Sequence, residues 1–275
     1  MSMAANTVDI DRPPPEARKW TRQRILGHAL LVLWTLLGIG LVWFLVTSWN
    51  TELFEKYGPG YVYGLATTLG LVAVSTVLGA LLSLPIAYGR MSTNPILSGL
   101  AYAYVYFFRG TPLLAQTFLV YYGLGSFHAE LDAIGLWWFF REAWYCAIFA
   151  FSLNTAAYQA EILRGAIESV PRGQWEGAAS LGLHKLQTMW KIILPQALIV
   201  ALRPYGNEVI LMIKGSAIVA IITVYDLMGI TRFTYARTFD FQSYLWAAII
   251  YLLIVETLRH GIEWIERRIT RHLHR

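Results

Sequence analysis

Two long runs without a charged side chain are the strongest constraint on this fold. No Asp, Glu, Lys or Arg occurs from Ile25 to Thr51 or from Tyr57 to Gly89. Each run exceeds the roughly 20 residues that an α-helix needs to cross the hydrocarbon core of a bilayer. Only 14% of the 275 residues are charged, against about a quarter in soluble domains. The chain is therefore predicted to be an all-α membrane protein rather than a soluble one.

Further apolar segments give a total of six predicted transmembrane helices. We expect them at about 25–49, 61–88, 96–124, 144–162, 204–227 and 244–262. Gly58-Pro59-Gly60 is expected to break the chain before the second helix. Segment 126–141 is expected to be a loop whose aromatic side chains lie at the membrane interface.

The third predicted span is interrupted by Arg109-Gly110-Thr111-Pro112. Because Pro112 lacks an N–H and suits the first turn of a helix, with Thr111 as its cap, one helix should end near Phe108 and another begin at Pro112. Irregular backbone at membrane depth persists only inside protein or beside a water-filled cavity. The break is thus a candidate part of a translocation path.

The two ends of the chain are polar and basic. Residues 1–24 are expected to form a disordered cytoplasmic tail, and residues 269–275 a second, basic one. A signal peptide would begin in the same way. However, the apolar run at 25–49 is far longer than a signal core of about 7–15 residues and lacks an A-x-A-like cleavage site. An uncleaved first span is therefore favoured.

The distribution of basic residues predicts the orientation in the membrane. Six spans place both termini on the same side. Sixteen of the 22 Lys and Arg residues fall in tails and loops on that side, four lie on the other, and Arg109 and Lys214 lie within membrane segments. Basic loops stay in the cytoplasm, so both termini and the loop 165–203 are predicted to be cytoplasmic. The net charge of +5 then reflects membrane topology rather than nucleic-acid binding.

The cytoplasmic loop 165–203 carries the most informative pattern. Its residues 176–195 read EGAASLGLHKLQTMWKIILP. We expect two short helices, with Pro171 at the first position of one, Gly182 in the left-handed turn that ends it, and the other (184–194) stopping before Pro195. The small apolar face of the first helix suits a cleft on a partner protein and includes Trp175, Ala178, Ala179 and Leu181. From composition alone, an amphipathic helix lying on lipid is an equal alternative.

This loop resembles the cytoplasmic coupling loop of permease subunits from bacterial ABC importers. The shared pattern is E-A-A, three residues, G, nine residues and I-x-L-P, with Gly177 in place of the first alanine. The residues that the resemblance assigns to ATPase coupling are Glu176, Gly177, Ala178, Gly182, Ile192, Leu194 and Pro195.

Other segments resemble the polar amino-acid branch of these permeases, in particular the M-type subunits for histidine, arginine, ornithine and opines. They are FRGTPL at 108–113, LNTAAY at 153–158, EILRGAIESVPRGQ at 161–174 and GNE at 206–208. The resemblance covers about residues 60–268. It implies the five-helix core of a type I ABC importer permease in the bacterial inner membrane. The segment 25–49 is then an extra N-terminal span with no assigned role.

The resemblance implies a permease subunit that forms half of the pathway of an ATP-driven importer for polar or basic amino acids or opines. The implied partners are a homologous second permease or a second copy, an ATPase homodimer that binds ATP and Mg²⁺, and a periplasmic or extracellular solute-binding protein. The sequence contains no G-x-x-x-x-G-K-[ST] phosphate-binding loop, so the chain is predicted to be no enzyme and to hold no cofactor. The single Cys146 and the scattered histidines predict no metal site.

Polar residues inside the predicted spans are candidates for the solute pathway, because charged groups in membranes normally face a partner or water. We expect a carboxylate to meet the ammonium or guanidinium group of the solute, and an amide and a phenol to supply hydrogen bonds. The candidates are Glu208, Asn154, Tyr158, Glu161, Arg109 and Asn207. Internal pairing is the alternative, between Glu208 and Lys214 or Arg109, and between Glu161 and Arg164. Glu256 and His260, one turn apart, are expected to form a structural pair.

Two other functional classes are weighed against an importer. A stand-alone secondary transporter would show internal repeats with binding groups at matching positions of two halves, and we find no such repeat in the sequence. A membrane scaffold or sensor would not require the coupling pattern.

Overall fold

The structure is a computed structural model that describes residues 20–272. The tails predicted at 1–24 and 269–275 lie partly outside these residues. The described part contains helices and no strand, and the helices are α1 (Arg22–Thr47), α2 (Thr51–Arg90), α3 (Pro95–Gly110), α4 (Leu113–Phe118), α5 (His128–Ala133), α6 (Trp137–Phe140), α7 (Ala143–Glu168), α8 (Arg172–Ser180), α9 (Lys185–Thr188), α10 (Leu194–Ser216), α11 (Leu227–Thr238) and α12 (Gln242–Ile269). Two π-helical segments, Leu119–Leu124 and Met189–Ile193, follow α4 and α9, and 3₁₀ segments follow α10 and α12.

The chain divides into two compact units, Met1–Asn50 and Thr51–Arg275. Within the first unit, α1 carries no Asp, Glu, Lys or Arg after Arg24, and none of its residues is buried. The hydroxyls of Thr35 and Thr47 donate to backbone oxygens one turn earlier, each over 2.8 Å. These bonds satisfy the polar groups inside the helix itself, as a lipid environment requires.

Four helical segments of the described chain are long and apolar enough to cross a membrane: α1, α2, the continuous segment Lys185–Ile222, and α12. The 26-residue helix α7 is also long enough to span about 30 Å. Its buried face is extensive, because it packs in the centre of the second unit between α2, α3 and α10. The prediction of an all-α membrane protein is confirmed.

The main core lies where α2 crosses α7. Leu71 of α2, Phe151 of α7 and Ile213 of α10 are completely or almost completely buried in one apolar cluster. Small residues bring the two backbones together, and a Cβ atom at Gly79 would overlap Thr155 on α7. Close contact through small residues is typical of helix pairs in membranes.

The predicted break at Gly58-Pro59-Gly60 is wrong, since α2 runs without interruption from Thr51 to Arg90. A proline inside a helix removes one backbone hydrogen bond. Leu53 and Tyr61, before and after the proline, are buried against Trp246 of α12, and this packing keeps the first turns in the helix. The loop predicted at 126–141 also differs, because it contains the short helices α5 and α6.

The predicted break in the third span is confirmed, with α3 ending at Gly110 and α4 beginning at Leu113. Pro112 occupies the cap position rather than the first turn of α4. Thr111 does not cap α4 either. Its N–H and its hydroxyl both donate to the Phe107 oxygen, over 3.1 and 2.8 Å, so Thr111 ends α3 instead.

The predicted stop before Pro195 is wrong. The helical path continues from α9 through the π-helical turn Met189–Ile193 into α10, so the fifth span begins well before residue 204. Pro195 falls in the first turn of α10, directly after the wider turn, where its missing N–H and its ring are tolerated. The second half of the loop and the span therefore form one continuous helical segment, Lys185–Ile222.

Candidate functional site

The broken end of α3 is held by two amide side chains. Asn154 Nδ2 on α7 donates to the Phe108 oxygen over 3.0 Å, and Gln116 Nε2 on α4 donates to the same oxygen over 2.9 Å. Asn154 Nδ2 also donates to Gln116 Oε1 over 2.9 Å. Asn154 and Gln116 are 6% and 4% exposed. The donor group of Asn154 is therefore used inside the protein, and its predicted contact with the solute stays a prediction.

Glu208 lies in the core between α10 and α7 and is 6% exposed. Thr155 donates from Oγ1 to Glu208 Oε1 over 3.0 Å, and Gln159 Nε2 donates to the same threonine oxygen over 3.1 Å. No ion pair of Glu208 with Lys214 or Arg109 is found among the described residues. The structure thus places Glu208 in a buried hydrogen-bond network rather than in the alternative ion pair, and its predicted contact with the solute stays a prediction.

A charge cluster surrounds Glu161 on α7. Arg90 of α2 donates from Nε to Oε1 over 2.8 Å, and Arg164 donates from Nη2 to Oε2 over 2.8 Å. Arg164 also donates to Glu168 over 2.6 Å. The expected pairing of Glu161 with Arg164 is therefore present, and Arg90 is a partner that the sequence did not indicate. The carboxylate ties α2 to α7.

A cavity of about 430 Å³ opens beside this cluster. It lies between α7, the start of α10 and the end of α3, and is lined by Arg109, Tyr158, Glu161, Ile162, Gly165, Ala166, Val200, Ala201 and Pro204. Ligand cavities in proteins have volumes of about 300–1,000 Å³. Three of the six predicted pathway residues, Arg109, Tyr158 and Glu161, thus meet on one cavity, whereas Asn207 is exposed elsewhere on α10.

Arg109 has the most open charge on this cavity. Its side chain is 44% exposed, and Nη1 lies 3.9 Å from Glu161 Oε2. The guanidinium carbon lies over the Tyr158 ring, 5.1 Å from its centre. Such stacking fixes the orientation of a guanidinium group while leaving its N–H donors available.

The coupling hairpin, α8 to the start of α10, has a well-defined turn. Gly182 adopts φ +68°, its N–H donates to the Ala179 oxygen over 2.9 Å, and the Leu183 N–H donates to the Ala178 oxygen over 3.1 Å. These two bonds form the Schellman motif that commonly ends a helix at glycine. The predicted left-handed turn at Gly182 is confirmed, while α8 starts at Arg172 with Pro171 as its cap.

One side of the hairpin packs on the protein and the other is open. Ala178 is 2% exposed, and Trp175, Ile192 and Leu194 pack against the buried cluster of α7 and α10. In this structure Ala178 therefore packs internally, and its predicted part in ATPase coupling stays a prediction. Glu176, Gly177, Gly182 and Pro195 are exposed. The open side also carries large apolar side chains, namely Leu181, Leu186 and Trp190.

Comparison with known proteins decides the family. Residues 75–271 match the family model of the binding-protein-dependent transport system inner membrane component. The chain belongs to this family. It is thus a multi-pass inner membrane permease, and the ATPase that drives transport is a separate subunit, as is the solute-binding protein.

Individual relatives agree with this assignment. The nopaline transport system permease protein NocM of Agrobacterium fabrum is 43% identical over 74% of this chain and 86% of its own. The arginine ABC transporter permease protein ArtM of Escherichia coli is 38% identical over 78% and 96%. A crystal structure of an amino acid ABC transporter with histidines contains a chain that is 34% identical, with a TM-score of 0.71, covering 80% of the permease and 99% of that chain.

Two residues of the permease site were missed from the sequence. Gln116 stands in an apolar segment, and a polar side chain in a membrane span is itself a functional signal, so it could have been found. Arg90, at the end of α2, gives no such signal. On α12, where Glu256 and His260 were expected to pair, His260 Nδ1 bonds the backbone oxygen of Glu256 over 2.7 Å and lies 3.6 Å from Glu256 Oε2. The Glu256 carboxylate pairs with Arg259 instead, over 2.7 Å.

Proposed function

We propose that this permease imports polar or basic amino acids or opines and forms half of the pathway of an ATP-driven complex. The relatives support this solute class, because their names specify nopaline and arginine. The main structural support is the continuous helical segment Lys185–Ile222, which belongs both to the coupling hairpin and to the wall of the cavity.

The open side of the hairpin is the proposed docking site of the ATPase. Leu181 is 79% exposed there, and burying such a side chain on a partner is favourable. The opposite side packs into the core of α7 and α10 through Met189, Ile192 and Leu194. A displacement of the hairpin would therefore move α10 as a rigid unit.

Movement of α10 would reach the cavity directly. Val200, Ala201 and Pro204, three residues of its wall, lie within two to three turns of the hairpin on the same helix. Coupling between the ATPase docking site and the cavity requires an element with two positions, whose equilibrium is shifted by binding at either site. We propose that α10 is this element and that its two positions give alternating access.

The proposed orientation places both termini and the coupling hairpin in the cytoplasm. Its support is the distribution of basic residues, with sixteen on that side and four on the other. Segments 126–141 and 223–241 would then face the solute-binding protein. In this assignment residues 60–268 form the permease domain and 25–49 an additional span. A homologous permease or a second copy of the chain would complete the pathway.

Reconstitution in proteoliposomes tests the function. The permease, its cognate ATPase and its binding protein would be assayed for uptake of labelled L-arginine, L-histidine, L-ornithine and nopaline, with L-leucine as the apolar comparison. We expect ATP-dependent uptake of at least one of the first four. The proposal would be contradicted if uptake did not require ATP, or if none of the first four solutes were imported.

A pair of matched substitutions tests the docking site. Leu181→Asp on the hairpin and Ile134→Asp between α5 and α6 each place a charge at an exposed apolar position. We expect Leu181→Asp to reduce co-purification of the ATPase and Ile134→Asp to leave it unchanged. Equal ATPase recovery with both variants would place the docking site elsewhere.

A further inference from the structure

We propose that Arg109 binds the carboxylate of the solute inside the permease cavity, with the Tyr158 hydroxyl as a second donor. The ligand class is an amino acid with a free carboxylate. This inference rests on the proposed import of amino acids and names the group by which the permease itself recognises them.

The carboxylate of Glu161 is already saturated with donors. Its Oε1 accepts from Arg90 Nε over 2.8 Å and from Arg164 Nε over 3.2 Å. Its Oε2 accepts from Arg164 Nη2 over 2.8 Å and from Arg164 Nε over 3.2 Å. A cationic group of the solute would have to displace these bonds, so Glu161 is a poor partner for an ammonium or guanidinium.

Arg109 is in the opposite situation. Its only ion-pair contact among the described residues is the 3.9 Å approach to Glu161, which is too long for a hydrogen bond. A guanidinium has five N–H donors in a fork that matches a carboxylate. The Tyr158 ring holds this fork at the cavity, and the phenol hydroxyl on the same ring offers one more donor.

The charges around the cavity favour an anion at this point. Arg90, Arg109 and Arg164 face Glu161 and Glu168 within one connected group. Three positive and two negative groups leave an excess of one positive charge within these ion pairs, and Glu208, which also interacts electrostatically with Arg109, is buried and does not line the cavity. A carboxylate neutralises that excess, whereas the cationic end of an arginine-like solute is repelled from it. The solute is thereby oriented, with its carboxylate toward Arg109 and its side chain away from the cluster.

The backbone before Arg109 is also fixed. The Phe108 oxygen accepts hydrogen bonds from both Asn154 and Gln116, so the end of α3 has little freedom. A guanidinium group on an anchored backbone loses less freedom on binding than one on a flexible loop.

The test uses solutes with and without the carboxylate. Displacement of labelled L-arginine by L-arginine or L-argininamide would be measured on the complex of permease and ATPase without the binding protein, and a second series would use L-histidine and L-histidinamide. We expect wild type to prefer the free acid by about 10- to 100-fold, as charge-assisted hydrogen bonds allow. Arg109→Gln should abolish this preference by weakening binding of the acid only.

Two variants keep the result clear if Arg109→Gln is poorly folded. Arg109→Lys retains the positive charge but not the forked N–H donors, and it should keep part of the preference for the free acid. Tyr158→Phe retains the ring but not the hydroxyl, and it should weaken binding of the acid several-fold. Two results would overturn the inference without affecting the proposal of ATP-dependent import. One is equal binding of acid and amide by the wild-type complex, and the other is an Arg109→Gln complex that still prefers the acid. Absence of import by wild type would instead contradict the proposed function.

Discussion

Asn154 Nδ2 donates to the backbone oxygen of Phe108 over 3.0 Å, between residues 46 positions apart in the sequence. The last carbonyl groups of a helix have no partner within it, and in a membrane water is absent to replace one. At the end of α3 this need is met across helices by Asn154 and by Gln116. The position of the break, and with it the position of Arg109, therefore depends on α7.

Replacing Asn154 by alanine should loosen this end of α3. The variant leaves the Phe108 oxygen with one donor and removes the donor to Gln116 Oε1. We expect a loss of about 1–3 kcal/mol in stability, visible as a lower melting temperature of the purified permease in detergent. Asn207→Ala, at an exposed position on α10, is the control and should melt as wild type does. An unchanged melting temperature for Asn154→Ala would show that the amide does not hold the break.

Close contact between α2 and α7 predicts different effects for two glycines of the same helix. A methyl group at Gly79 would overlap Thr155 Cγ2 and lie 3.2 Å from the Ala156 nitrogen, whereas one at Gly70 meets only the Trp144 side chain, 3.9 Å away. Thr155 cannot easily turn, because its hydroxyl binds Glu208 and Gln159. Gly79→Ala should cost about 1–3 kcal/mol by overpacking, and Gly70→Ala should be neutral or slightly stabilising.

Size-exclusion profiles and melting curves of the two alanine variants, side by side, measure this difference. Close packing of α2 against α7 requires the Gly79→Ala variant to be less stable than the Gly70→Ala variant. Equal melting temperatures would mean that the backbones of α2 and α7 lie further apart than the structure has them.

Residue chemistry predicted the local features of this fold more reliably than the tertiary ones. The break near Pro112 and the turn at Gly182 follow from properties of proline and glycine that act on their own neighbours. Pro59 and Pro195 carry the same local signal, but burial of Leu53 and Tyr61 in one case and a π-helical turn in the other keep the helix continuous. Local propensity gives way where packing across the chain outweighs one lost hydrogen bond.

The candidate site shows the same division. The spacing of Asn154, Tyr158 and Glu161 correctly placed them on one helix, but not which of them would reach a cavity. That depends on what the neighbouring helices supply. Gln116 uses the donor of Asn154, Thr155 binds Glu208, and Arg90 covers Glu161. None of these partners can be identified from the spacing of a single helix.

The coupling hairpin gives a matched pair of glycine substitutions. Gly182 adopts φ +68°, where an L side chain is strained, and alanine there should cost about 1 kcal/mol. Gly177 lies within α8, with nothing within 4 Å of an added Cβ, so alanine should be tolerated and should favour the helix. We expect Gly182→Ala to lower ATP-dependent uptake in proteoliposomes and Gly177→Ala to preserve it. The reverse order would contradict the assigned turn.

Glu161 provides the sharpest test of the charge cluster. Glu161→Gln removes the negative charge that pairs with Arg90 and Arg164, and leaves these partly buried cations facing one another. Because like charges repel and lost partners leave donors unsatisfied, we expect a loss of about 1–3 kcal/mol in stability. Glu168→Gln is the control, since its side chain is 55% exposed and pairs with Arg164 alone among residues 20–272, and an exposed pair contributes about 0–1 kcal/mol. Melting curves at low and high salt separate the two: added salt should partly restore Glu161→Gln by screening the arginines. If both variants melt together, Glu161 does not join α2 to α7.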